Sequence, residues 1–217
     1  MRTAWRAGSD AGGVARKRLR GAWGFIKVIG AGLDGRDRGR ELRGVSRRAQ
    51  LWRISSLSYA AFLAERREEI LQRIAEAAAR AGRDPSEVEL LAVSKTVDVP
   101  QVNLAWKAGY LAFGENRPQE LVRKLKGLAA YPQMDGARFD MIGHLQTNKV
   151  REVVGNVTLI QSVSSLHLAE AISKRGVSHD VTSDVLLEVN VSGEESKSGF
   201  SPDEVRAALD DILALPA

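Results

Sequence analysis

Five short apolar segments recur between residues 88 and 191 of this chain, and each runs straight into a polar cluster. They lie near residues 88–94, 110–113, 139–142, 157–161 and 184–191. Their polar ends read Ser94-Lys95-Thr96, Gly114-Glu115-Asn116, Gly143-His144-Leu145-Gln146-Thr147-Asn148-Lys149, Ser162-Val163-Ser164 and Asn190-Val191-Ser192, the last followed by Glu195 to Gly199. Runs of this length, apolar at nearly every position, suit strands covered on both faces, as in a parallel sheet. Between them the spacing predicts helices near 99–108, 117–128, 147–154, 165–175 and 202–214. Strands alternating with helices imply a parallel α/β sheet. An open doubly wound sheet concentrates its polar residues at one switch point. Here every strand contributes, which favours a barrel with one shared mouth.

Upstream, Phe62, Leu63, Ile70, Leu71, Ile74, Ala75 and Ala78 fall at helical spacing over residues 58–81, with Gly82 where such a helix stops. Asp84-Pro85 then opens a turn into the first strand. The last helix carries the clearest start signal: Ser201 as N-cap, Pro202 in the first helical position, and Asp203 and Glu204 in the first turn.

Within this frame Lys95 is the residue placed for chemistry. Ligands of such folds sit outside the carboxyl ends of the strands. An amine at that position, partly withdrawn from water, has a lowered pKa and attacks carbonyls, so the chemistry suggested is an imine. Gly143 is expected to let backbone approach the pocket. His144 is expected either to lie near a bound ring or to be satisfied by neighbouring loops. Lys149 and Lys197 are read as solvated more readily than as anion-binding, and Glu115 as a loop anchor. No His and carboxylate set has metal-ligand spacing, and no Walker or dinucleotide-type glycine loop occurs.

Charge divides the chain. Residues 1–55 hold 14 of the 32 Lys and Arg but 4 of the 27 Asp and Glu, so the remainder, with 18 basic and 23 acidic residues, is mildly acidic. Residues 56–217 therefore form no basic stripe of the kind nucleic-acid binding requires. Half of the 20 glycines also fall in residues 1–55, which show no sustained helical or strand period, so this extension is expected to be disordered or weakly helical. A basic arm for nucleic acid or membrane and an Arg-rich transit peptide compete there with a start assigned too far upstream, the reading preferred, with Val45, Leu51 or Leu57 as alternative starts. No stretch has the length of a membrane span, and with no cysteine the chain has no disulfide or thiol chemistry. The expected location is the cytoplasm.

The strings LLAVSKT, FGENRPQE, MIGHLQTNK, IQSVSSLHLA and LLEVNVSGEESKSGF, in that order and spacing, resemble the pyridoxal phosphate homeostasis protein family, relatives of the alanine racemase N-terminal barrel, from about Arg66 to Ala217. The resemblance implies a (β/α)8 barrel of the TIM type, of which the first five βα units are present here in residues 56–217. It implies pyridoxal 5'-phosphate held as an imine on Lys95, with Asn116 lining the cofactor pocket. It also implies a protein without known turnover, a monomer when intact, that buffers the cofactor and delivers it to apo-enzymes. A pyridoxal phosphate-dependent racemase-like enzyme is the alternative.

Departures from the pattern are Phe139-Asp140-Met141 in place of Trp-His-Phe, and Ser164 in place of Asp. They are expected to tune packing. The family continues through three further strands that carry its phosphate cup and the arginine facing the pyridine nitrogen. About 160 residues from Ser58 fall short of the roughly 250 of a full barrel. On this reading the sequence is a truncated product, non-functional or weakly cofactor-binding, whose two outer strands expose bare edges.

Overall fold

The computed structural model describes residues 4–8, 16–19, 24–29, 56–134, 136–194 and 196–217. The extension contributes three short strands, β1 (Ala4–Gly8), β2 (Arg16–Leu19) and β3 (Gly24–Ile29). Then follow α1 (Ser56–Arg80), β4 (Val88–Val93), α2 (Val99–Lys107), β5 (Ala112–Glu115), α3 (Pro118–Leu128), β6 (Arg138–Met141), α4 (Val150–Val153), β7 (Leu159–Val163), α5 (Leu166–Val177), β8 (Asp184–Leu187) and α6 (Pro202–Ala214). Strands β4 to β8 are mutually parallel and adjacent in chain order, which makes them half of a (β/α)8-type barrel.

The expectation of bare outer strands is corrected: β3 pairs in parallel with β4, and β1 pairs antiparallel with β8. An outer strand offers a row of unpaired N–H and C=O groups to any segment able to extend. Phe25, Ile26, Val28 and Ile29 are residues of high strand propensity. Residues 30–55, including the alternative starts at Val45 and Leu51, lie outside the described residues.

Register differs from expectation in places. β5 begins at Ala112 rather than residue 110 because Gly109, at φ 93°, and Tyr110 close the turn after α2. Gly114 and Glu115 thereby join the strand. β8 stops at Leu187, short of residue 191, because Asn190 folds the chain back: its Oδ1 accepts from the Gly193 N–H at 3.1 Å. Residues 147–149 form a single 3-10 turn ahead of α4. The start of α6 is as its sequence requires, with Glu204 N–H donating to Ser201 Oγ (3.2 Å) and Ser201 N–H donating to Glu204 Oε2 (2.7 Å). The Ser201 N–H, and after it the Ser201 side chain, hold the Glu204 carboxyl below its ordinary range.

One face of the sheet packs on the helices. Phe113, Phe139, Met141, Ile160 and Val163 meet Val102, Leu121 and Ile172 there, all nearly or fully buried. The Phe113 and Phe139 rings stack at 5.4 Å, a contact that contributes about 1 kcal/mol beyond the area it buries. Alternation along each strand sends Leu91, Gly114 and Asp140 to the opposite, inner face.

Candidate functional site

The register of β4, β5 and β6 sets the rim. Val93 lies beside Gly114, and Gly114 beside Asp140, in one inner row. The next backbone bonds, Ser94 N–H to the Gly114 carbonyl (3.0 Å) and Ile142 N–H to the Glu115 carbonyl (2.9 Å), continue the ladder one step beyond the strands. Lys95 and Asn116 follow at the carboxyl ends of β4 and β5, where the sequence expects a ligand.

Lys95 is exposed in the turn after β4. The expectation of an amine partly withdrawn from water is therefore corrected: burial stops at Ser94, whose side chain turns to the helix side and leaves Lys95 at the rim. Asn116 is half-buried, and its Oδ1 is enclosed without a hydrogen-bond partner. An amide oxygen in that state costs stability and awaits a donor. Gly143 approaches the Asn116 backbone so closely that a Cβ there would lie 2.2 Å from its carbonyl oxygen. The Gly143 carbonyl accepts from Ser162 Oγ at 2.6 Å, which ties the ends of β5, β6 and β7 together.

Beneath the rim, on the helix side, lies a buried ionic network. Lys124 of α3 donates to Glu115 Oε1 and to the Ser94 carbonyl, and Ser94 Oγ donates to the same Glu115 oxygen. Lys124 and Glu115 are both fully buried, so Glu115 anchors the rim as its sequence context suggests. Lys124 was not legible as part of the site. Its only signal is a position three residues after Leu121, on the stripe by which α3 meets the sheet.

The remaining expected residues disperse. His144 is exposed and shares with Gln146, Thr147, Asn148, Ser164 and Ser165 a polar cavity of about 480 Å³ between the loops after β6 and β7. Neither Lys95 nor Asn116 lines it. Lys149 is occupied by Glu152 at 2.9 Å, and Lys197 is exposed. Among the described residues no group of three or more His, Cys, Asp or Glu is placed to hold a metal, and no helix is long and apolar enough to cross a membrane.

Asp140 does more than tune packing. It is fully buried on the inner face, with Oδ2 accepting from Gln161 Nε2 at 2.9 Å, Arg138 at 3.6 Å and Oδ1 unpartnered. Arg138 is shared with Glu89 at 2.6 Å. Desolvation outweighs Arg138 and the Gln161 bond, and raises the Asp140 pKa from 3.8 to about 6. The folded state thus holds a proton that the unfolded chain releases. Stability from this group is greatest below pH 4, falls as pH rises towards 6, and stays lower above by about 3 kcal/mol. Asp140→Asn keeps an acceptor for Gln161 and removes the charge. In denaturant titrations it is expected to stabilise by about 1–3 kcal/mol at pH 8 and by nothing measurable at pH 4.

These features, parallel strands with a lysine at the end of the first and an unsatisfied amide at the end of the second, define a parallel α/β half-barrel. The family model described as "Alanine racemase, N-terminal domain" matches residues 66–217, and the chain belongs to that family. It is 40% identical over 152 residues to a pyridoxal phosphate homeostasis protein of Aquifex aeolicus, covering 70% of this chain and 65% of that protein. It is 40% identical over 154 residues to one of Pseudomonas aeruginosa, covering 71% and 65%. The chain thus spans about 65% of the length of these relatives. Among solved structures it is similar to an unknown protein from Bifidobacterium adolescentis (TM-score 0.68, 41% identity, 73% of this chain and 67% of that one). It is also similar to PipY of Synechococcus elongatus with pyridoxal phosphate (PLP) bound (TM-score 0.54, 32% identity, 65% of each chain).

Proposed function

We propose that this chain binds PLP in the cytoplasm and takes part in its homeostasis, with Lys95 as the attachment point and Asn116 lining the pocket. The observation that carries this reading is the likeness to PipY, crystallised with PLP, in a chain that keeps a solvent-open lysine at the end of β4. Lys95 and Asn116 would hold the cofactor, which would supply an electrophilic aldehyde carbon within reach of an amine. The residues fit that group. Lys95 presents its amine to solvent at the rim, Asn116 offers an enclosed acceptor in want of a donor, and Gly143 keeps the rim narrow enough to hold Asn116 in place. Delivery to apo-enzymes, as a monomer, completes the proposal.

Borohydride reduction of the PLP-incubated chain, followed by peptide mass spectrometry, tests it. The expected result is a pyridoxyl group on Lys95, with labelling reduced at least tenfold in Lys95→Ala. Labelling at another lysine, or none, overturns the assignment. The family description also carries the name of a racemase. An assay with L-alanine is expected to give no D-alanine above the PLP-only control, and turnover abolished by Lys95→Ala would establish the enzymatic alternative instead.

A further inference from the structure

We propose that Glu115 and Lys124 are positioning residues that fix the spacing between Lys95 and Asn116; this rests on the reading of Lys95 and Asn116 as the PLP site. The residues immediately before those two, Ser94 and Glu115, are held by a single buried ammonium. Lys124 Nζ donates both to the Ser94 carbonyl and to Glu115 Oε1, and Ser94 Oγ closes the triangle. One side chain from α3 thus clamps the ends of β4 and β5 directly below the rim.

Stability does not account for the pair. Removing two charges from water costs several kcal/mol per ion, and mutual attraction repays this only where every remaining lone pair is satisfied. Here Glu115 Oε2 has no partner. An uncharged pair of similar volume is therefore expected to be as stable or more so. What it cannot do is hold the Ser94 carbonyl and the Glu115 carboxylate to one point with charge-assisted bonds, which are shorter and about twice as strong as neutral ones. The Ser94 carbonyl also accepts from the Val97 N–H at 3.1 Å, so withdrawal of the ammonium leaves that oxygen satisfied but the two strand ends untied.

The experiment is a PLP titration of the full chain, read by the absorbance of bound PLP, beside thermal melting of the same samples. Glu115→Gln combined with Lys124→Met leaves an acceptor for Ser94 Oγ and no unpaired charge. The expected result is a melting temperature equal to or above that of the parent chain together with a Kd for PLP raised at least tenfold. A merely structural pair gives the opposite pattern, a lower melting temperature with the Kd of the folded fraction unchanged, and that result overturns the proposal. Should the double variant not fold, Glu115→Gln alone decides the matter, since it weakens the charge-assisted ties to Lys124 and Ser94 with an amide of the same size. A Kd of the folded protein raised about threefold supports positioning, and an unchanged Kd overturns it. A parent chain that binds no PLP overturns the site reading itself, an outcome distinct from a parent that binds and variants that bind equally well.

Discussion

Gly143→Ala is expected to destabilise the chain by about 3 kcal/mol, a large effect for one added methyl group. The new Cβ would lie 2.2 Å from the carbonyl oxygen, 2.7 Å from the Cα and 2.8 Å from the carbonyl carbon of Asn116. All three are backbone atoms, so no side-chain rotation relieves the overlap. Either the loop after β6 or the end of β5 must move. The first course strains the Ser162–Gly143 bond, and the second shifts Asn116 and the Ile142–Glu115 backbone bond. Both displace the rim. Denaturant titration measures the cost, and amide exchange at Ile142 is expected to quicken. Unchanged stability would mean that the loop has room the structure does not show. The contrast is Gly193→Ala, where no atom lies within 4 Å and only a φ of 69° opposes the change, so its cost is about 1 kcal/mol.

Lys124→Met alone is expected to cost about 3–5 kcal/mol, because it strands the Glu115 carboxylate in a site with no access to water. For a folded region of this size that lowers the melting temperature by roughly 10 °C. Adding Glu115→Gln is expected to recover most of the loss, so the two changes are strongly non-additive. Measured by denaturant titration, the cycle reports a coupling well above that of an exposed pair such as Arg123–Asp98, which lies at 2.9 Å in the open. Simple additivity in the buried cycle would show that Glu115 and Lys124 do not depend on each other. The Asp140→Asn variant is a control of opposite sign: a buried carboxylate with incomplete compensation, whose neutralisation stabilises at high pH.

The order of elements was legible along the chain. Alternation of short apolar runs with helically spaced segments placed β4 to β8 and α1 to α6 within a few residues, since side-chain periodicity is a local property that burial merely ratifies. Capping was legible for the same reason: Ser201 and Glu204 act on each other's backbone N–H three residues away, and Pro202 fixes its own φ at the first helical position. Placement at the rim could be read as well, because strand ends in parallel sheets gather there, and Lys95 and Asn116 follow the carboxyl ends of the neighbouring strands β4 and β5. Membership of the family followed from five motifs in fixed order, and the match to residues 66–217 agrees with it.

The sequence by itself determined that β4 to β8 and α1 to α6 form and which of their ends meet, because these depend on periodicity and on short-range rules. Only the tertiary structure decided what each polar group meets: that Lys124, indistinguishable in sequence from a solvated helix lysine, is buried against Glu115 and Ser94, that Asp140 lies dry on the inner face beside Arg138 and Gln161, and that Lys95 is open to solvent. The physical reason is that burial and electrostatic partnership arise between segments far apart in the chain, 30 residues in the case of Lys124 and Ser94, and desolvation is set by what all of them enclose together.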